Sequence, residues 1–197
     1  MTAKRRITRD DILPMNEYAA VRGERRARLM KIKQDRRVGV GPFAIFHFET
    51  YDTMWMQVHE MLYIEGGGEE QIGGELEAYN PLIPRGSELI ATLMLEIDDR
   101  DRRERLLGQL GGIERSASMS FAGQTIKAAP ILDDVERTTP EGRTSSVHFL
   151  RFSFTREQIA KFREPGTEVV LAIAHPNYGH MAVVPDAVRA ALAEDFD

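Results

Sequence analysis

Apolar residues along this chain change their period near residue 85. Before that point they recur at helical spacing. Tyr18, Val21, Leu29 and Ile32 mark a helix through NEYAAVRGERRARLMKIKQDRR, and Tyr51, Met54, Trp55, Val58, Met61 and Leu62 share one broad face of a helix over 49–65. Thr8 in TRDDILP caps a short first turn with acids early in it. VGVGPF (38–43) breaks the first helix, Gly66-Gly67-Gly68 ends the second, and a shorter helix over about 69–79 stops at Asn80-Pro81. Beyond it Leu89, Ala91, Leu93, Leu95 and Ile97 alternate with more polar positions, which predicts a strand over 88–97.

The same reading continues to the end of the chain. DRDRRERLLGQLGG predicts a helix with a glycine stop, and SASMSF-AG-QTIKAAP a hairpin turning at Ala122-Gly123. Residues 132–138 and 144–155 read as two strands around Pro140-Glu141-Gly142. TREQIAKFREPG is a short helix capped by Thr155, residues 168–174 and 180–184 form a hairpin across HPNYGH, and PDAVRAALAEDF closes the chain as a helix with proline near its start. The expectation is an α+β fold in a single domain over 1–197. A helical N-terminal part (about 1–82) precedes a mostly antiparallel sheet with interspersed helices (about 87–197).

Charge is segregated along this plan. Residues 1–37 carry a net +7, residues 38–99 a net −11 and residues 100–197 a net −1. Such asymmetry points to electrostatic pairing, within the fold or with another chain. The run RGERRARLMKIKQDRR (22–37) holds eight bases and two acids. Nucleic acid is disfavoured as its target, because the remainder is acidic, the sequence pI is 5.6, and no aromatics interleave for stacking. The helix is expected to face the acidic segment, in its own chain or a partner subunit, or to meet an acidic protein. Arg22, Arg25, Arg26 and Arg28 are the partner-binding candidates. A homodimer would cover the mixed faces of the first two helices.

The chain has no cysteine, which excludes disulfides, thiol nucleophiles, zinc ribbons and an Fe–S cluster held by this chain alone. Any bound iron, manganese or zinc would rest on His and carboxylates. On the helix over 49–65, Glu49, Asp52, His59 and Glu60 fall on the flank beside the apolar face, with Asp52 and His59 about 10 Å apart along the axis. His175 and His180 flank the HPNYGH turn. Together these six residues are the candidate metal ligands, provided that the last hairpin packs against the helix. No His has Glu three residues before it, so a ferritin-like di-iron pattern is absent, and Tyr63 stands where His-Glu-x-x-His needs its second His. His148 shares a strand face with Leu150, Phe152 and Phe154 and reads as a core histidine. The glycines of EGGGEEQIGG lack the Lys-Ser/Thr of a phosphate loop and stand among acids. No apolar run reaches the ~18 residues of a membrane span, and the basic N-terminus is followed by no apolar stretch, so the expected location is the cytoplasm.

The run DRRVGVGPFAIFHFET, followed by DTMWMQVHEML and preceded by TRDDILP, resembles the bacterial domain-of-unknown-function family 3501 over nearly the whole chain. The resemblance carries over no catalytic residues. It implies the company of rubrerythrin-like proteins and Fe–S oxidoreductases, in which a cysteine-free chain would be an accessory. Two readings therefore stand. One is an accessory protein that binds a redox partner through its charged N-terminal half. The other is an enzyme or sensor with a His/carboxylate metal or small-ligand site.

Overall fold

The computed structural model of the chain describes residues 4–131, 138–139 and 142–197. A single 3-10 turn, Arg9–Asp11, follows Thr8, whose backbone N–H is held by the Asp11 carboxylate. Three helices come next in the chain, α1 (Met15–Gln34), α2 (Tyr51–Glu65) and α3 (Gly68–Tyr79). Between α1 and α2 runs a hairpin of β1 (Arg37–Val40) and β2 (Ala44–Phe48). This corrects the reading of VGVGPF as a mere helix break. Val38 and Val40 alternate inward with Gly39 outward, and Gly41, at φ 73°, makes the turn that a helix-breaking glycine alone does not reveal.

The remaining elements follow the sequence pattern closely. They are β3 (Glu88–Leu95), α4 (Arg100–Leu107), β4 (Ala117–Phe121), β5 (Gln124–Lys127), β6 (Ala129–Pro130), β7 (Val147–Ser153), α5 (Arg156–Arg163), β8 (Val169–His175), β9 (Tyr178–Val183) and α6 (Asp186–Ala193). The β4–β5 turn is Ala122-Gly123, both at positive φ, as a tight two-residue hairpin with the right-handed strand twist requires. The strand expected over 132–138 lies, except for Thr138, outside the described residues, as does Pro140-Glu141 of its turn. In HPNYGH only Pro176-Asn177 forms the turn, and Gly179 and His180 are part of β9.

Two antiparallel sheets form, one in the order β1-β2-β3-β7-β6 and one in the order β5-β4-β8-β9. Their inner faces share one apolar cluster that includes Phe46, Phe48, Leu93, Phe152, Met119 and Leu171. The hydroxyl of Tyr178, on β9, joins the sheets. It donates to Val40 O at 2.7 Å and accepts from the N–H groups of Phe43 and Ala44. The outer face of the first sheet meets the helices instead. Ile90 of β3 packs in a second cluster with Met54, Val58 and Leu62 of α2, Ile72 of α3, and Leu82 and Ile83. Helix α1 lies farthest out, against α2, and its end is tied down by Arg36, whose guanidinium donates to both oxygens of Asp195 at 2.8 and 2.9 Å in a buried pair. The α+β architecture expected from the sequence is thus the observed one. Among the described residues no helix is long and apolar enough to cross a membrane.

Candidate functional site

Helix α2 starts where Thr50 caps it, its hydroxyl accepting from Thr53 N–H, and it stops at Gly66 in the left-handed conformation. Within it, Met54, Val58 and Leu62 take the sheet side. The opposite side, which holds Met56, His59 and Glu60, turns to α1. This is the flank on which the sequence concentrates its candidate ligands.

The flank is satisfied by α1 and the segment before it. Glu60 receives a bidentate pair from Arg22, whose Nε and Nη2 lie 2.7 Å from Oε1 and Oε2. Tyr18, fully buried, donates its hydroxyl to the same Oε1 at 2.6 Å. The Arg22 guanidinium, aided by the Tyr18 hydroxyl, holds the Glu60 carboxyl at about 2 despite partial burial. Burial first, then the neighbouring Glu60 carboxylate, pushes the Tyr18 phenol well above its ordinary range.

His59 is fully buried and both its nitrogens are engaged. Leu13 N–H donates to Nε2 at 3.0 Å, and Nδ1 lies 2.7 Å from Trp55 O. A backbone N–H can only donate and a carbonyl can only accept, so the ring is neutral with its proton on Nδ1. Burial favours this neutral form and lowers the pKa from 6.5. The ring also packs on Trp55, tilted by 34° with centroids 3.7 Å apart, and Trp55 Nε1 donates to Asp11 O at 2.8 Å.

The six candidate ligands are not brought together. Glu49 is buried at the end of β2 and accepts from Thr92 Oγ1 at 2.6 Å. Asp52 is exposed at the start of α2. Glu60 is taken by Tyr18 and Arg22, and His59 has no free lone pair for a metal. His175 contacts Gly111 O through Nε2 and accepts from Asn177 N–H through Nδ1. His180 is exposed beside Tyr178. Among the described residues no group of three or more His, Asp or Glu side chains is placed to hold a metal ion. The physical reason is local. The polar flank of α2 uses Glu60 to bind the first helix and His59 to bind Leu13 in the segment before it.

The four arginines divide in the same way. Arg22 is committed to Glu60, and Arg25 lies over the Trp55 ring at 5.0 Å. Arg25 and Arg28 line a narrow cleft with Leu29, Ile32, Asp52, Trp55 and Met56, about 20 Å³ in free volume and too small for an ordinary substrate. Arg26 and Arg28 are exposed. Tyr18 is the residue that a search for ligands overlooks. Its signal is its place one turn before Arg22 on a basic helix, where an apolar ring with a polar tip can reach a half-buried acid.

Residues 6–196 match the family described as protein of unknown function (DUF3501). The chain is also similar to a solved structure, a novel protein of unknown function from Burkholderia pseudomallei K96243. The two are 36% identical with a TM-score of 0.88, over 97% of this chain and 99% of that one. No curated protein matches the chain.

Proposed function

We propose that this chain, which belongs to the DUF3501 family, is an accessory binding protein whose working surface is the basic helix α1 and whose partner is an acidic protein. One observation carries this reading. Of the 20 residues of α1, only Tyr18 is buried. A helix of this length draws most of its stability from packing, and α1 packs along one edge only, through Met15, Tyr18, Arg22, Arg25, Leu29 and Ile32. The rest of its surface offers Arg26, Arg28, Lys31 and Lys33, with Met30 68% exposed among them. Charges that steer a partner, set around an apolar side chain that can anchor it, make a docking face.

A redox protein of the rubrerythrin or Fe–S oxidoreductase kind is the partner class that the family resemblance implies. The property the surface asks of it is an acidic face. The test is cross-linking in the native host, followed by identification of the product, with the wild type and an Arg26→Glu/Arg28→Glu variant. The expected result is one acidic protein, cross-linked to the wild type, lost from the variant and lost at high salt. Recovery of that protein undiminished by either change would remove α1 from the role.

A further inference from the structure

We infer that α1 docks on helix α3 of a second copy of this chain, in a two-fold dimer that makes the contact twice. This names a partner for the surface assigned above and rests on that reading. Helix α3 turns Ile72 into its own chain and leaves Glu70, Gly73, Gly74 and Glu77 exposed. Glu70 and Glu77 are two turns apart, about 10.5 Å along the axis. On α1, exposed Arg26 and Lys33 have the same separation, and Met30 stands between them. Opposite charges thus recur at equal spacing. Between them one helix projects a long apolar side chain, and the other presents a gap with no side chains at all.

The glycines have no reason inside the chain. Interior helical glycine costs stability relative to alanine. A Cβ at Gly73 or Gly74 would meet nothing within 4 Å, and neither residue has a positive φ. The same holds for Gly23, which shares the outward face of α1 with Met30. What these positions allow is the close approach of another helix. α1 also carries an apolar group that its own chain leaves uncovered. Met30 is one of five large apolar side chains exposed among the described residues. Both complementary halves belong to this chain, so a two-fold axis pairs each with its counterpart.

The test is the oligomeric state by sedimentation velocity, at low and high salt. The wild type is expected to be a dimer that weakens with salt. Arg26→Glu/Lys33→Glu and Glu70→Lys/Glu77→Lys are each expected to be monomers, because like charges then face one another at both contacts. An equimolar mixture of the two variants is expected to dimerise again, since both of its contacts regain opposite charges. Gly73→Ala/Gly74→Ala should fold at least as stably as the wild type and lose the dimer. A dimer that survives the charge reversals or the glycine change, or a mixture that stays monomeric, overturns the inference. A monomeric wild type overturns it as well. If such a monomer still binds its acidic partner through α1, the earlier reading stands without this one.

Discussion

The Tyr18 hydroxyl and the Glu60 carboxylate meet at 2.6 Å, at the one point where α1 sends a side chain fully into the protein. Arg22 closes the group from the exposed side. Glu60→Ala leaves the buried hydroxyl without its acceptor and should cost about 1–3 kcal/mol in urea unfolding, while Glu60→Gln, which keeps an acceptor, should cost less. The pH dependence has a definite sign. The folded carboxyl sits at about 2 against an ordinary 4.5, so its stabilisation is complete above about pH 4.5 and fades as the pH falls toward about 2. The stability gap between wild type and Glu60→Gln should close over that interval. A gap that stays constant would mean that the carboxylate charge contributes nothing.

His59 should be a single neutral tautomer with its proton on Nδ1, visible in nitrogen-15 spectra of the imidazole. Its folded pKa is lowered by burial, so the unfolded chain takes up the proton first. The contribution of His59 is therefore present above pH 6.5 and lost as the pH drops below it. His59→Ala should remove this slope and cost about 1–3 kcal/mol, because Leu13 N–H loses its acceptor. An Nε2-protonated ring would contradict the arrangement outright.

Arg36 and Asp195 are both nearly inaccessible to solvent, at 8% and 9% side-chain exposure. Asp195→Ala strands a buried guanidinium and should cost about 3–5 kcal/mol, more than the loss of any exposed pair in the chain. Exposed Arg37→Ala, which breaks the pair with Glu96, should cost no more than ~1 kcal/mol. Denaturant midpoints of the two variants compare them directly.

Tyr178→Phe should loosen the β1–β2 turn, since one hydroxyl serves Val40 O, Phe43 N–H and Ala44 N–H. A cost of about 1–3 kcal/mol is expected, with faster amide exchange confined at first to residues 40–44. Gly41→Ala should be worse. It strains a left-handed residue and sets a methyl 2.6 Å from the His180 ring.

Much of the fold was legible because its signals are local. Thr50 and Thr155 cap helices, Ala122-Gly123 turns a hairpin, and Leu89, Ala91, Leu93 and Leu95 alternate. The β1–β2 hairpin was not, because AIFHF offers an apolar run too short to show a period, and its partner strand ends in the glycine and proline that also end helices. The candidate site was legible only in its members. Glu60 and His59 stood out as unusual on an apolar helix, but a sequence does not show which partner uses a polar atom. Here the answer came from residues more than forty positions away, a tyrosine and a backbone N–H.

Trp55 is the only tryptophan in the chain, and it sits where α1, α2 and the first turn converge, with the His59 ring against one face and Arg25 over it. Its fluorescence therefore comes wholly from the helical layer and is silent about the far sheet. Protonation of His59 places an efficient quencher in contact with the indole. Detachment of α1 removes the arginine and admits water. The molecule thus carries a built-in optical gauge, able to time the opening of its outer helix separately from the melting of its core.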